Sequence, residues 1–431
     1  MSLPTRNNPY SFNEFLELRK NLDYYRDDPF IQKALKHFTG MEWKSIDDQA
    51  RRLSPKVSYR WRDMADAAAV LEKRPYMVHY DGHHNRIDRI IRPRETEIME
   101  KEIFSEGVFS GTTSPWTKLM KMYLIYQNGE ACIACPLTCT EGLVAILDKF
   151  ADTAETKRVL RHCKDGIDGD FAIGAQYLSE IQGGSDVPSN VLEAVQEGGA
   201  WKLYGTKFFC SATHADYAAI TAKPAGSDKV ALFVMPSWLP GDKEKEIRNG
   251  CTIDRIKWKM GTSELTTAEI TLNGAVAYPL GPLDRGVANV VGIVLTYSRL
   301  TVGLSSAAFM TRAAREAKQY AEFRDAFGVK IGRFPLAAGQ LNEMDRFARR
   351  TTAGAFKLYR EFLDMGGDLK GGLGADETAG VREKRFNIRE LIMLQKITAS
   401  WDCTDVLRDA MSIFGGHGVM EDFSSDRKSV V

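Results

Sequence analysis

The sequence predicts an α+β fold in which a central β region is flanked by two helical regions. Three observations carry this expectation. The period of the apolar residues changes twice along the chain, short β-like runs punctuated by turn residues cluster in the middle, and helix-spaced apolar residues return after Gly286. The implied organisation is a helical N-terminal domain over residues 1–168 with a small hairpin near 80–90, a central β domain over 169–285, and a helical C-terminal domain over 286–431. A chain of 431 residues is long enough for two or three domains, each with its own core.

Each element has a local reason. Ser11-Phe-Asn-Glu14 reads as a capping box, with Tyr10 and Phe15 as a hydrophobic staple, and predicts a helix from Phe12 towards Tyr24. An Asp-Gly turn inside Tyr80–Asp88, flanked by alternating segments, predicts a hairpin, and helices resume at Pro93. Trp201–Tyr204, Tyr217–Thr221, Val230–Val234 and Ala268–Leu272 read as strands between glycine, proline and aspartate turns. Val290, Val291, Val294, Leu295, Leu300 and Leu304, then Phe309 and Ala313, recur at helical spacing. Gly366–Gly374 interrupts these helices; lacking a strand before it and a lysine-serine pair after it, it reads as a loop rather than a phosphate cradle.

Composition narrows the function classes. A formal net charge of +1 provides no global field to attract nucleic acid or an anionic membrane, so any anionic ligand must be held locally and a nucleic-acid partner is not expected. The Met1–Asn8 start has no apolar core and no later run approaches the roughly 20 apolar residues of a spanning helix, so a cytoplasmic protein without a membrane partner is expected. Seven cysteines, an odd number scattered along the chain, fit a reducing compartment. Cys132, Cys135 and Cys139 fall on one helix face, where they read as small buried apolar residues in preference to metal ligands, since no fourth ligand is near in sequence. His83 and His84, beside Asp81 and Asp88, read as a surface hairpin. No metal site is expected.

The densest signal is Ala175–Asn190, where Gly183 and Gly184 permit close backbone approach while Ser179, Ser185 and Ser189 supply donors. Gly205–Ala212 follows shortly after, carrying Lys207, Phe208, Phe209 and Ser211. Together the two segments resemble the flavin-facing loops of the acyl-CoA dehydrogenase superfamily. The hairpin, Gly129-Glu130 and Cys135-Pro-Leu-Thr138 resemble the N-terminal region of its AidB-like, alkylation-response branch. The resemblance implies an acyl-CoA dehydrogenase-like fold, FAD as cofactor, and an acyl-CoA thioester and an electron acceptor as partners. In that chemistry a carboxylate takes the α-proton of the thioester while the flavin accepts the β-hydride.

Site residues carry over one at a time. Leu178 and Ser179 match the loop at the flavin pyrimidine edge, Phe209 the aromatic near the isoalloxazine, Ser211 the hydroxyl near its hydride-accepting nitrogen, and Ser185 a substrate contact. Phe323–Gly332 resembles the segment whose arginine holds the FAD diphosphate across a subunit interface, making Arg324 the anchor and Phe327 its neighbour. Ile413–Gly418 resembles a glycine turn lying against a partner's cofactor through Gly415 and Gly416, with His417 a cap or neighbour. A homo-oligomer, dimer or tetramer, with shared FAD sites is therefore implied.

Departures from the pattern bear on catalysis. After Ser425 the family continues to a loop bearing the catalytic acid, whereas here Asp426–Val431 closes the sequence, so a missing C-terminal segment is expected. The alternative position for the base, before an arginine on the first helix of the last domain, is Ser298 before Arg299, and serine has little basicity at neutral pH without a partner. Ser412, Pro335 and Ser263 replace other polar family residues. The catalytic residue is thus unknown. The two expectations are a dehydrogenase-type flavoprotein lacking its usual carboxylate, and a non-enzymatic or truncated flavin-binding protein of the same fold, with the nucleic-acid association of some AidB-like members.

Overall fold

The computed structural model describes residues 10–367, 369, 377–420 and 423. The N-terminal region comprises α1 (Asn13–Lys20), α2 (Pro29–Thr39), α3 (Trp43–Pro55), α4 (Arg62–Ala68), the hairpin β1 (Tyr76–Tyr80) and β2 (Arg86–Ile91), and then α5 (Arg94–Phe104), α6 (Pro115–Tyr126), α7 (Ala131–Phe150) and α8 (Ala154–Asp165). The central strands are β3 (Gly174–Tyr177), β4 (Glu193–Glu197), β5 (Ala200–Ser211), β6 (Tyr217–Pro224), β7 (Ala231–Pro236), β8 (Cys251–Ile256) and β9 (Thr267–Pro279). The last region has α9 (Gly286–Asn289), α10 (Leu295–Phe323), the short pair β10 (Asp325–Ala326) and β11 (Val329–Lys330), α11 (Pro335–Asp364) and α12 (Ala379–Phe414). The fold is α+β, as the periodicity predicts.

The strands close on themselves. β6 pairs with β7, β7 with β9, β9 with β5, β5 with β4, and β4 returns to β6 in parallel, while β3 extends the ring on β6 and β8 on β9. Closure leaves these ring strands without a free edge, and the alternation of inward residues gives the ring a packed centre. β7 is buried along its whole length, which is why Ala231–Pro236 reads as a continuous apolar run. One apolar core joins the N-terminal helices, the strands and the start of α10; a second gathers Phe15, Tyr320, Phe323 and Phe414 around the far end of α10 and α12.

Three expectations are corrected. Helix α1 ends at Lys20 rather than near Tyr24, and its N-cap is Phe12, which has no side-chain cap bond; Ser11 Oγ accepts from the Asn13 amide at 3.1 Å instead of forming the capping box. Tyr10 does not serve as a local staple: its ring lies edge-on to Phe12 and Phe323 at 5.5 and 5.8 Å. Tertiary aromatic packing therefore outweighs the local signal. Finally, the helices Ala131–Phe150 and Gly286–Phe323 are long and apolar enough to span a membrane, with a mean hydropathy of 1.5 in each; 61% and 39% of the respective windows are buried inside the fold. Gly371–Gly374 and Asp426–Val431 lie outside the described residues.

Candidate functional site

A buried ion pair joins the two sequence motifs. The turn after β3 is closed by reciprocal backbone bonds between Glu180 and Gly183 at 3.2 and 3.0 Å. The Glu180 carboxylate accepts from the Val191 amide at 2.7 Å, the Leu192 amide at 3.2 Å and the Lys207 ammonium at 2.8 Å. Lys207, on β5, also donates to the Leu178 carbonyl at 3.3 Å and the Thr221 hydroxyl at 3.1 Å. Burial alone would raise the Glu180 pKa, but the Lys207 charge and these hydrogen bonds outweigh it and hold the group below the usual carboxylate range. Beside this clasp the Phe208 amide donates to the Ser179 carbonyl at 3.0 Å, so turn and strand share one surface.

On that surface β5 is bulged. Its register against β9 shifts between Lys207 and Cys210, leaving Phe208 and Phe209 opposite Glu269 alone. A bulge re-aims side chains: Lys207 and Cys210 point into the buried interior while Phe209 is 46% exposed. Phe208 is covered by the Lys257 ammonium, 3.4 Å from its ring centroid, and Lys257 is itself paired with Glu269 at 2.6 Å. Ser211 Oγ lies 3.1 Å from Thr267 Oγ1, which accepts from Lys259 at 3.0 Å. Gly184 sits so close to Ser179 that an added Cβ would collide with its Oγ, and Gly183 has a φ of 138°. Leu178 is partly buried against the core, and Ser185 is exposed at the turn.

Helices α7 and α10 border the other side. Gln176 Nε2, on β3, donates to Ser298 Oγ at 3.2 Å and to the Cys139 carbonyl at 3.3 Å. Ser298 Oγ donates to the Val294 carbonyl at 3.1 Å. Just before it, Val290–Val294 forms a π-helical turn that carries the Val294 carbonyl to within 3.0 Å of where a Cβ on Gly142 would stand. Nearby, Arg92 clamps both oxygens of Glu100 at 3.0 and 2.8 Å, and His214 bridges Glu100 at 2.9 Å to Thr266 at 2.9 Å. The Glu100 carboxylate would be raised by burial, yet the His214 and Arg92 charges bring it down to about 2. Gln176, Lys257, Lys259, Thr267 and the Glu100–His214 bridge were missed by sequence reasoning. Only Gln176 had a local signal, one position after Ala175 in the motif itself.

The remaining candidate residues gather elsewhere. Arg324 caps α10 and lies 4.9 Å over the Tyr10 ring. Arg324, Gly415, Gly416 and His417 line one cavity of about 390 Å³ together with Tyr320 and Phe414. His417 Nδ1 is 3.0 Å from the Tyr320 hydroxyl, and its ring stacks on Phe423 at 4.5 Å. Phe327 does not line this cavity: it is 98% exposed at the β10–β11 turn with a φ of 52°. Within one chain this group packs on the second apolar cluster, apart from the Ser179–Phe209 surface on the first. His83 and His84 sit in the hairpin turn, where the Asp81 carboxylate accepts from the His83 amide at 2.8 Å and the His84 ring stacks on Tyr80 at 4.9 Å. Ser412 is exposed on α12, Pro335 starts α11, and Ser263 lies in the loop before β9.

Known proteins share these features. Residues 175–275 match the family described as Acyl-CoA dehydrogenase, middle domain, and residues 284–428 match Acyl-CoA dehydrogenase, C-terminal domain. Acyl-CoA dehydrogenase family member 11 of Caenorhabditis elegans is 26% identical over 416 residues, covering 92% of this chain and 65% of the relative. AidB of Escherichia coli strain K12 is 23% identical over 379 residues, covering 84% of this chain and 68% of the relative. The chain therefore spans about two thirds of the length of these relatives. Among solved structures, Bd2924 in its apo form superposes with a TM-score of 0.86 at 25% identity, covering 96% of this chain and 82% of that one. The C. elegans ACDH-11 structure in complex with C11-CoA gives 0.83 at 23%, covering 94% and 70%. With both domain families matched in order and the same α+β architecture, the chain belongs to the acyl-CoA dehydrogenase superfamily.

Proposed function

We propose that this protein is an FAD-binding flavoprotein of the acyl-CoA dehydrogenase type, acting on an acyl-CoA thioester and passing electrons to a separate acceptor. One observation carries the reading: the Glu180–Lys207 clasp presents Ser179, the half-exposed Phe209 and Ser211 along one bulged surface. The residues fit the cofactor. An aromatic side chain left 46% exposed beside two hydroxyl residues suits a planar ring with polar edges. Leu178 and Ser179 would hold the pyrimidine edge, Phe209 would exclude water from the ring, and Ser211, oriented by Thr267 and Lys259, would donate to the ring nitrogen. When bound, FAD supplies the acceptor for the substrate β-hydride.

Arg324, Gly415 and Gly416 are assigned to the cofactor of a second subunit, which makes the oligomer part of the reading; their shared cavity supports this assignment. The C11-CoA complex of the C. elegans relative supports an acyl-CoA ligand. Ser298 stands at the border of the site, hydrogen-bonded to Gln176 and the Val294 carbonyl, and offers no carboxylate there. We therefore infer flavin and thioester binding, with Ser298 not serving as the base of the dehydrogenation. Absorbance of the purified protein tests the first part, and anaerobic titration with acyl-CoA thioesters tests the second. Ser298→Glu should raise the bleaching rate by roughly 10²- to 10⁴-fold. A folded protein that takes up no FAD refutes the cofactor assignment. A yellow protein bleached by no thioester, either unmodified or as Ser298→Glu, refutes the dehydrogenase reading.

A further inference from the structure

A groove separates the two long helices α10 and α11. Small side chains line its floor, Ala314 and Ala321 from α10 and Ala338 and Ala348 from α11, and the helices leave a cavity of about 790 Å³. That volume falls within the roughly 300–1,000 Å³ of small-molecule sites. From Thr311 to Glu322 the α10 wall runs about 16 Å, at 1.5 Å per residue. The start of α2 closes one end with Asp28 and Phe30, and the turn after β11 closes the other with Gly332 and Arg333. This cavity shares no lining residue with the one around Arg324, Gly415 and Gly416.

We propose that this groove binds an adenine nucleotide, with the base at the α2 end and the phosphates at the turn end. Charge is sorted along it to match. At the turn end Lys318, Lys330 and Arg333 line the cavity together with one carboxylate, Glu322. Lys318 and Arg333 make no hydrogen bond or ion pair among the described residues. Lys330 donates to the Phe323 carbonyl at 2.7 Å and to Asp325 at 3.0 Å, which leaves its third N–H for a ligand. Three cations can thus gather around a diphosphate, Arg333 through its planar fork. A wholly apolar ligand would instead bury these charges without partners.

At the α2 end the carboxylates outnumber the cations, and two of them are already paired. Asp28 accepts from the Phe30 and Ile31 amides at 3.1 and 3.0 Å and from Arg315 at 2.9 Å, while Asp345 is paired with Arg349 at 2.7 Å. Asp27 accepts from the Asp23 amide at 2.8 Å through one oxygen, and its other oxygen has no partner among the described residues. One free oxygen suits the single exocyclic amino group of adenine, whereas guanine presents two adjacent donors and needs both oxygens. The half-buried Phe30 ring offers a π face, and the Arg349 guanidinium lies 5.4 Å from its centroid, so a purine entering there meets a ring and a delocalised cation.

The full-length protein as purified is titrated calorimetrically with ADP, GDP, adenosine and inorganic diphosphate. One ADP per chain is expected, bound roughly 10-fold or more tightly than each of the other three, because only ADP engages both ends. Lys318→Gln and Arg333→Gln replace exposed, unpaired side chains, so both variants should fold; each should weaken ADP by roughly 10-fold and leave adenosine unchanged. Phe30→Ala should weaken ADP and adenosine alike and leave inorganic diphosphate unchanged. A parallel titration with CoA identifies the source. CoA binding that falls in Arg333→Gln as ADP binding does assigns the groove to the ADP end of CoA, and a loss confined to ADP assigns it to a free nucleotide. No uptake of ADP, tighter binding of GDP, full affinity in both Lys318→Gln and Arg333→Gln, or a loss of ADP affinity in Arg324→Gln in their place overturns the proposal.

Discussion

Replacing Lys207 with methionine removes the ammonium that ties the Ser179 turn to β5 while keeping most of the side-chain volume. Lys207 and Glu180 have side chains 0% and 2% exposed, so the surviving carboxylate stays in the interior. Breaking a buried pair by removing one partner costs about 3–5 kcal/mol. Glu180 retains the Val191 and Leu192 amides, which places the expectation at the lower end, about 3 kcal/mol. Glu180→Gln combined with Lys207→Met removes both charges, and the double variant should be less damaged than the sum of the singles by about 1–3 kcal/mol. Urea unfolding of the four proteins, followed by circular dichroism, measures this cycle. Because the folded Glu180 pKa is depressed, its contribution is fully present above the ordinary carboxylate pKa of about 4.3 and is lost as pH falls through the lower folded value. Glu180→Gln should abolish that part of the acid sensitivity. A Lys207→Met cost below about 0.5 kcal/mol, or single effects that add to within about 0.5 kcal/mol, would refute the clasp as the element joining the motifs.

Other expectations follow from the same geometry. Phe209→Ala, on a half-exposed ring, should change unfolding free energy by less than about 1 kcal/mol while lowering FAD content on purification; an unchanged flavin-to-protein ratio would remove Phe209 from the cofactor surface. Gly142→Ala should cost about 1–3 kcal/mol, because its Cβ would stand 3.0 Å from both the Val294 carbonyl oxygen and Cγ1, and backbone there must move; a melting temperature equal to that of the unsubstituted protein would contradict the close approach of α7 and the π turn. Burial depresses the folded pKa of His214, so its neutral form contributes stability above the ordinary histidine value of about 6.5, and this is lost as pH falls through the folded value. His214→Asn should flatten stability between about pH 6.5 and 5, where carboxylates have barely begun to titrate; a slope identical to that of the unsubstituted protein would show that His214 does not titrate with unfolding.

The fold class was legible because periodicity is a local property: β7 reads as apolar without a break, and the residues after Gly286 repeat at helical spacing. The glycine, serine and aromatic types of the two motif segments were equally legible, since a close backbone approach or a re-aimed ring requires particular residues at particular positions. Partners were not. Glu180 meets Lys207 across 27 residues and Gln176 meets Ser298 across 122, and no local pattern encodes a contact at such separations. The capping signal at Ser11 failed for the same reason, because the distant Phe323 draws Tyr10 away from the helix start. Likewise the spacing of Cys132, Cys135 and Cys139 predicts one shared helix face, but only packing buries the first against Arg92 and leaves the other two partly buried with their sulfurs 3.9 Å apart. Sequence alone determined the secondary elements and the residue types available for chemistry. Tertiary structure decided which of them meet, because burial and pairing depend on the neighbours that folding brings in from elsewhere in the chain.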